Sequence, residues 1–435
     1  MKKQWKKWGA CALLLLLVLC LTACSGKKET PTTPETATGF VPKLDKNTDC
    51  SIRVVGHYNN FEALEAEFNR FAEYYPNVKM NYTYLDNYNG IIVTALSSSE
   101  APDIFFTYPW MAYRDGYGSV YETAENLADP ALGINLNCIR ESLLYKDVSG
   151  KVPTVPVYTT TYGMLVNEAI FEKEKIAVPK TYPELLSACE ALKNAGYADP
   201  VLAYNNGTTL LFPLYYPYFC AEIQGNATAI ADMNDLKPGA GENMRKALAL
   251  ADDFMKRGYL NLEHCNQLEN DYNAVIMRFF EGDVPMMFAS ANTVSGTEKR
   301  ESQSEAFSAH PFPYSFHPVP STEKGGFFIN TISMGFAVNK NSQNLDMANE
   351  FMRFLVSTAE LNQMAKAKRM VTPCVDMSLD GVYQAFGQVE AGSIINLSDL
   401  NLNDVPDGQV KIAGWQVCNG LLTVDEAVEG FGTLK

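Results

Sequence analysis

From residue 50 onward, hydrophobic and polar positions alternate with two different periods, which predicts strands and helices in turn. Residues 52–55 form a short apolar run typical of a buried strand. Large side chains then recur every three or four positions, the spacing of one buried helix face: Phe61, Leu64, Phe68, Phe71 and Tyr75. Apolar residues occupy every second position over 78–84, which indicates another strand. A strand, a helix and a strand in this order predict a βαβ unit.

The alternation continues along the chain and predicts an α/β fold class. Apolar runs at 103–107, 152–167 and 284–289 are typical of strands. Thr181 and Glu184 have the spacing of a capping box, so we expect a helix to begin there. Three glycines at the ends of helical patterns predict that helices end there in a residue with left-handed backbone conformation: Gly196, Gly258 and Gly282. A chain of 435 residues has room for two lobes or two domains built from such layers.

The first 23 residues have the pattern of a secretory signal. Lysines at positions 2, 3, 6 and 7 precede an apolar run over 10–23 that is shorter than a membrane-spanning helix. Leu21, Ala23 and Cys24 resemble the lipobox of bacterial lipoproteins, in which the cysteine receives a diacylglycerol group after cleavage. An ordinary secretory signal with an incidental Cys24 is the alternative. Residues 24–49, rich in Thr, Pro, Lys and Glu, therefore predict a lipidated cysteine and a flexible tether.

The charge and the cysteines argue against several kinds of site. Removal of the four signal lysines changes the formal net charge from −15 to −19, and a surface this acidic repels nucleic acid. Membrane attachment would then depend on lipid, and two acyl chains suffice for it. Seven widely spaced cysteines follow residue 24 without a CxxC pair, so neither a disulfide framework nor a zinc site is indicated. We expect most of them to be small buried residues.

The order of the segments resembles the family of extracellular solute-binding proteins that includes maltose-binding protein. The stretches that carry the resemblance cover most of the chain after the tether: "FNRFAEYYPNVKM", "APDIFF", "GKVPTVPVYTTTYGMLVNEAIF", "VPKTYPELLSACEALKNAGYADPVLAY", "MRFFEGDVPMMFAS", "NTISMGFAVNKN" and "NGLLTVDEAVEGF". The chain departs from the family where Val166 stands in place of a frequent Tyr, and where tryptophans are scarce. These departures concern the ligand rather than the fold.

The resemblance implies a two-lobed periplasmic-binding-protein (Venus-flytrap) fold, in which hinge strands let the lobes close over a ligand. We assign residues 50–156 and 313–372 to lobe one, and residues 157–312 and 373–435 to lobe two. In the family the chain crosses between lobes three times, and we expect the crossings near 155–160, 310–318 and 372–374. Prolines there would stiffen short connections. A plain surface loop is the alternative for 310–318.

Ligands of open α/β sheets bind beyond the carboxyl ends of the strands, which selects four segments as the lining of the cleft. The candidate ligand-binding residues are His57, Tyr58, Asn59, Asn60, Thr107, Tyr108, Trp110, Tyr158, Thr160, Tyr162, Ser290 and Asn292. Their polar and aromatic side chains suit the hydroxyl edges and C–H faces of a neutral sugar. By the resemblance, Thr160 stands where maltose-binding protein has a cleft carboxylate, and Asn292 where it has a stacking tryptophan. Trp110 is the strongest single candidate, whereas Trp415 is expected to pack in the core.

Two other functions stay open at this point. Adjacent Tyr215 and Tyr216, with Glu222 nearby, would suit ferric ion through phenolate oxygens, although an aromatic cluster is the plainer interpretation. A secreted glycan-degrading enzyme would need a nucleophile with a base, or two carboxylates, and no GxSxG or HExxH motif occurs. The segment order favours a binding protein over an enzyme and indicates no metal or cofactor.

The resemblance therefore predicts a lipid-anchored component of an ABC importer that captures a sugar or oligosaccharide by lobe closure. It implies permease subunits as membrane partners and a separate ATPase that drives import. We expect a monomer that is held by its lipid on the extracellular face of the cell membrane, or in a periplasm.

Overall fold

Strands and helices alternate along the chain, and the computed structural model describes residues 39–112, 116–147, 149–203, 212–267 and 272–434. The strands are β1 Cys50–Gly56, β2 Val78–Tyr84, β3 Ile104–Thr107, β4 Val155–Asn167, β5 Val201–Leu202, β6 Met286–Ser290, β7 Tyr314–His317, β8 Val319–Pro320, β9 Gly326–Val338 and β10 Ile394–Asn396. The strands predicted from apolar patterns and the βαβ unit are confirmed within a few residues.

Helices cover the strands and fill the C-terminal region. They are α1 Glu62–Tyr74, α2 Tyr88–Leu96, α3 Gly118–Thr123, α4 Glu168–Glu174, α5 Tyr182–Asn194, α6 Phe212–Ile223, α7 Ala227–Asn234, α8 Arg245–Lys256, α9 Leu262–Gln267, α10 Tyr272–Phe280, α11 Ala291–Ser295, α12 Thr297–Gln303, α13 Glu305–Ala309, α14 Leu345–Leu355, α15 Thr358–Ala367, α16 Gln384–Gln388, α17 Leu397–Leu400, α18 Asp404–Cys418 and α19 Val424–Glu429. Short 3-10 turns span Pro109–Ala112, Leu136–Cys138, Glu141–Leu143, Ala240–Met244, Gly381–Tyr383 and Ala391–Ser393.

Local signals set several of the helix ends. The predicted capping box of α5 is present: the Thr181 hydroxyl accepts from the Glu184 amide, and the Glu184 carboxylate accepts from the Thr181 amide. The three glycines predicted as helix stops have positive φ angles of 97°, 66° and 90°, which only glycine adopts readily: Gly196, Gly258 and Gly282. None of the helices in the described ranges combines the length and apolar composition of a membrane span.

One sheet runs through the unit that begins at Val41, in the order β2-β1-β3-β9-β4-β6-β5. The β1–β2, β1–β3 and β5–β6 pairs are parallel, whereas β9 is antiparallel to β3 and β4. The two 13-residue strands β4 and β9 hold the sheet together. Gly335–Val338 pairs with β3, while the other end of β9 pairs with β8 and β10. These two strands therefore connect both ends of the sheet.

The structure gives the strand pairing around the second and third predicted chain crossings. The segment 310–318 contains β7, whose residues Tyr314–His317 pair with the last part of β4, beyond the middle of the sheet. The strand that spans the sheet is β9, which starts eight residues further along the chain at Gly326. The Thr159 amide donates to the Val371 carbonyl at 2.9 Å, so the chain runs beside β4 directly before 372–374, where the third crossing is predicted.

The structure also shortens the predicted tether. Residues 1–38, including Cys24, lie outside the described residues, but the segment from Val41 is attached to the body. The Lys43 amide donates to Glu350 at 2.8 Å, and the Leu44 amide donates to the Tyr75 hydroxyl at 3.2 Å. The composition of this segment predicted flexibility because the residues to which it hydrogen-bonds lie far away in the sequence.

An aromatic core holds the carboxyl ends of β1 and β3 in place. The Phe106 ring stacks on Phe336 at 5.2 Å and packs edge-on against Phe61 at 5.8 Å. Gly56 ends β1 directly beneath this ring, and a Cβ at that position would overlap it. The close approach fixes where the chain leaves β1, and it brings the next residue, His57, beside Tyr108 at the end of β3.

Helix α18, the long helix before α19, packs against α6 and α8. A Cβ at Gly414 would overlap the Tyr215 ring, so the glycine permits the close contact between α18 and α6. Six of the seven described cysteines are buried, as expected: Cys138, Cys189, Cys220, Cys265, Cys374 and Cys418. The packing brings the start of α18 to the edge of the crossing strands.

Candidate functional site

A large cleft of about 1380 Å³ opens between the segment after β3, the crossing strands and the C-terminal segment. The loop after β3 supplies Tyr108 and Trp110, and β9 supplies residues 331–333. The 3-10 turn Glu141–Leu143 and its continuation to Lys146 form another wall. Residues 397–405 and the first turns of α18 close the opposite side. The cleft therefore lies beyond the carboxyl end of β3, as the rule for open α/β sheets predicts.

Two aromatic rings lie parallel to each other in the lining of this cleft. The Tyr108 and Trp110 rings are nearly parallel, with an interplanar angle of 5° and centroids 5.9 Å apart. Tyr117 packs edge-on against Trp110 at 4.9 Å, and the Tyr121 hydroxyl donates to the Tyr108 carbonyl at 2.9 Å. The 3-10 turn Pro109–Ala112 produces this arrangement directly after β3. Trp110 is half-buried and belongs to the lining of the cleft.

Among the described lining residues of the large cleft, carboxylates outnumber ammonium groups. The acidic lining residues are Glu141, Asp399, Asp404 and Asp407, and the basic ones are Lys146 and Lys411. Lys146 pairs with Glu141 at 2.9 Å, and Lys411 pairs with Asp407 at 2.6 Å. The Tyr216 hydroxyl also donates to Asp407. Ionised carboxylates only accept hydrogen bonds, so this lining suits a ligand rich in hydroxyl donors.

Tyr162 of β4 lies in the same cleft, close to the charge of Asp407. Burial, with a smaller contribution from the Asp407 carboxylate, raises the pKa of Tyr162 to about 12. The phenol is therefore a neutral hydroxyl near pH 7, able both to donate and to accept a hydrogen bond.

One hydrogen bond joins the two sides of the large cleft. The Ser398 hydroxyl in α17 donates to the Ser142 carbonyl at 2.5 Å. Ser398 is exposed and belongs to the C-terminal segment, whereas Ser142 belongs to the 3-10 turn Glu141–Leu143. The bond therefore connects two segments that are more than 250 residues apart in the chain.

A smaller cavity of about 350 Å³ adjoins the cleft. Its lining consists of His57, Tyr58, Tyr108, Tyr158, Ser295, Ser333, Lys368 and Met370. Tyr108 and Ser333 line both spaces, so they form the wall between them. The Tyr108 hydroxyl and His57 Nδ1 share a hydrogen bond. Burial lowers the pKa of His57, which favours its neutral form at pH 7.

The two spaces together contain seven of the twelve predicted ligand-binding residues. Thr107, Tyr108, Trp110 and Tyr162 line the large cleft, and His57, Tyr58 and Tyr158 line the small cavity together with Tyr108. Trp415 is partly buried in α18 and lines neither space. Trp110 is therefore the lining tryptophan among the described residues.

Four predicted residues lie outside both spaces. Asn59 and Asn60 are exposed, and the Asn60 amide donates to Glu62 at 3.0 Å in front of α1. Thr160 and Ser290 are each only 5% exposed because they belong to paired strands in the middle of the sheet. The side chain of the fifth, Asn292, lies outside the described residues.

Two segments of the large cleft are absent from the residues predicted to line it. Residues 141–146 form a 3-10 turn and a loop, and residues 397–405 follow the very short strand β10, so neither has a strong hydrophobic period. The run "SDLNLND" at 398–404 carried a weak signal, since it is rich in Asp and Asn. Nothing in the local pattern indicated that this run lies opposite Trp110.

The adjacent tyrosines proposed for ferric ion do not converge on one point. The Tyr215 hydroxyl is buried and donates to the Lys411 carbonyl at 2.9 Å, whereas the Tyr216 hydroxyl donates to Asp407. Glu222 pairs with Lys246 at 2.6 Å on the surface. Among the described residues, no group of three or more His, Cys, Asp or Glu side chains is arranged to hold a metal ion. The pair therefore fits the aromatic-cluster interpretation.

Comparisons with known proteins identify the family of the chain and relatives of similar fold. Residues 56–361 match the family model described as bacterial extracellular solute-binding protein. The melibiose/raffinose/stachyose-binding protein MelE of Bacillus subtilis is 23% identical over 212 residues, which are 48% of this chain and 46% of that protein. The match thus spans about half the length of this curated relative.

Solved structures have a similar fold at low sequence identity. The apo form of RafE from Streptococcus pneumoniae superposes with a TM-score of 0.69 and 15% identity, covering 90% of this chain and 98% of that one. The sugar-binding protein MalE from Xanthomonas citri gives a TM-score of 0.68 at 16% identity, covering 88% of this chain and 95% of that one. The two-lobed α/β fold predicted from the sequence is thereby confirmed.

Proposed function

Because the chain belongs to the family of bacterial extracellular solute-binding proteins, we propose that it captures a carbohydrate for import by an ABC transporter. The observation that carries the proposal is the pair of parallel rings, Tyr108 and Trp110, in a cleft with a carboxylate-rich lining. Aromatic faces pack against the C–H faces of sugar rings, and carboxylates accept hydrogen bonds from sugar hydroxyls. The large cleft exceeds the ~300–1,000 Å³ of ordinary small-molecule sites, which favours an oligosaccharide. MelE is named as a protein that binds melibiose, raffinose and stachyose.

The capture mechanism is a change of shape rather than a reaction. A ligand that contacts both sides of the cleft stabilises the closed form by its additional contacts there. We place the passages between the lobes in β4, in β9 and beside Val371, so bending of these segments would move the lobes. The closed, loaded form then docks on permease subunits, and a separate ATPase drives release and import.

We propose that a diacylglycerol on Cys24 holds the protein at the outer face of the membrane. Replacing Cys24 with Ser removes the sulfur that would be lipidated, so the variant should pass from the membrane fraction to the soluble fraction. The same distribution for both proteins would contradict lipidation and favour an ordinary secretory signal.

Isothermal titration of the purified protein with neutral tri- and tetrasaccharides tests the carbohydrate proposal. We expect at least one of them to bind with a one-to-one stoichiometry. Ferric citrate and amino acids serve as ligands of other classes in the same titration. Binding of one of those, with no response to any saccharide, would overturn the proposal.

A further inference from the structure

The small cavity beside the cleft has the opposite charge character. Lys368 is the charged lining residue, and the described lining contains no carboxylate. Hydroxyl groups of three tyrosines and two serines complete most of the surface. A space of about 350 Å³ is large enough for a substituent of a sugar ring, though small for a whole oligosaccharide. Its composition therefore suits a compact group that accepts hydrogen bonds.

Tyr158 gives an independent indication of a ligand. The residue is 1% exposed, and its hydroxyl is buried with no hydrogen-bond partner among the described residues. Leaving a buried hydroxyl unsatisfied is costly, so such groups usually have a partner or a function. Since Tyr158 lines the small cavity, an acceptor atom placed there would satisfy the hydroxyl.

Aromatic rings position the Lys368 ammonium at this cavity. Its Nζ lies 5.4 Å from the centroid of the Tyr58 ring and 5.8 Å from that of Phe61. The side chain makes no ion pair with a carboxylate in the described ranges, and Glu62 acts on it only through its longer-range charge. Cation–π contacts hold an ammonium without occupying all three of its N–H donors. A donor is therefore available for a ligand.

We propose that the small cavity is a subsite for the carboxylate of an acidic saccharide, such as a uronic acid residue. Lys368 supplies the positive charge, and the Tyr158 hydroxyl donates a hydrogen bond to one carboxylate oxygen. Neutral parts of the same saccharide occupy the large cleft, because Tyr108 and Ser333 border both spaces. The cleft's own carboxylates disfavour a second anion and so fix the orientation of the ligand. This inference rests on the proposed carbohydrate function and names its substrate class.

Matched ligands test the charge requirement directly. Isothermal titration compares a trisaccharide that carries one terminal uronic acid residue, such as glucuronosyl-xylobiose, with its methyl ester, which has the same rings and no charge. We expect the native protein to bind the acid about 10- to 100-fold more tightly, the factor typical of a hydrogen-bonded charge. Lys368→Met should abolish that preference and leave the affinity for the ester unchanged, whereas Lys368→Arg should retain much of it. Lys366→Met, an exposed lysine two positions earlier, is the matched control and should behave like the native protein.

Tyr158→Phe separates a binding role from a structural one. Removing an unsatisfied buried hydroxyl should leave the melting temperature of the free protein equal or slightly higher, while the acid binds roughly 3- to 10-fold more weakly. Equal affinity of the native protein for acid and ester would overturn the subsite and leave the carbohydrate function intact. A preference for the acid that survives Lys368→Met would also overturn it. If no saccharide binds, the proposed function fails and the subsite falls with it.

Discussion

The large cleft and the small cavity share the wall formed by Tyr108 and Ser333, yet their charges have opposite signs. The acidic side chains of the cleft come from the turn after Arg140 and from the C-terminal segment before and within α18. The single ammonium of the cavity comes from Lys368, one residue after α15. Neighbouring spaces thus acquire different chemistry because different parts of the chain reach them. A ligand with one acidic group can be oriented by that difference alone.

The two spaces also differ in how firmly their walls are held. The small cavity lies against the aromatic core, where Tyr58 packs edge-on against Phe61 and Phe106. Much of the cleft wall is made of turns, and its two sides are joined by the exposed Ser398–Ser142 bond. Substitutions near the cavity should therefore affect the free energy of unfolding, whereas substitutions in the cleft should mainly affect binding.

The largest effect on binding is expected from Trp110, because it is the lining tryptophan of the described cleft and its ring lies parallel to that of Tyr108. Trp110→Ala should weaken binding of a neutral oligosaccharide by about 2 kcal/mol, close to thirtyfold. Trp415→Ala is the matched control, since that ring lies outside both spaces and should matter to stability only. Titration of both variants measures the difference. Equal losses in the two variants would contradict the assignment of the cleft.

Asp407 should discriminate between neutral and acidic ligands. Asp407→Asn removes a negative charge from the cleft, so binding of a neutral oligosaccharide should weaken by about 1 kcal/mol through the lost acceptor. Binding of an acidic saccharide should change less, because a repulsion disappears at the same time. Asp252→Asn is the control: Asp252 pairs with Lys256 at 2.6 Å on α8, outside both spaces. A parallel loss for both ligands would argue against charge separation between the spaces.

Buried acids beneath the small cavity should make stability depend on pH. Glu67 and Glu360 share the Arg70 guanidinium, and Glu67 is fully buried. Burial first, and then the neighbouring Glu360, raise the pKa of Glu67 from 4.5 to about 9. Between these values the unfolded chain releases the proton that the folded chain retains. The free energy of unfolding therefore falls as pH rises through this window.

Glu67→Gln removes the carboxyl group that binds a proton when the chain folds. The free energy of unfolding should therefore rise by about 1–2 kcal/mol at pH 8. The gain should disappear as the pH falls below 4.5, where Glu67 is protonated in both states. Urea unfolding at a series of pH values measures the gain, and Glu65→Gln on the exposed face of α1 is the control. A variant that is less stable than the native protein at pH 8 would mean that Glu67 is ionised in the fold.

The smallest effect is expected from the hydrogen bond between the two sides of the cleft. Ser398→Ala should weaken oligosaccharide binding by about 0.5–1 kcal/mol, since one neutral hydrogen bond between the two sides of the cleft is lost. The change should occur mainly in the dissociation rate, measured by stopped-flow fluorescence. Ser302→Ala is the control, because the Ser302 hydroxyl bonds locally to the Lys299 carbonyl. An unchanged dissociation rate would mean that Ser398 does not contribute to closure.

The sequence alone determined the elements and, through their order, the fold class. Apolar residues at every second position identified β2, and large side chains at every third or fourth position identified α1. The Thr181–Glu184 spacing identified the start of α5. These features depend on side chains close in sequence, so a local pattern records them. It also selected Trp110 and Tyr108, since both follow a strand whose carboxyl end borders the cleft.

Only the tertiary structure decided which distant segments of the chain meet around the large cleft and the small cavity. Residues 141–146 and 397–405 lie opposite each other, and Lys368 lies beside Tyr58, although no local period links these positions. The same reason explains why no local pattern indicated that Tyr314–His317 pairs with Met164–Asn167. Strand pairing, and the set of charged residues that line each space, depend on contacts between residues far apart in the sequence. The sign of the charge in each space was therefore settled by folding, not by composition.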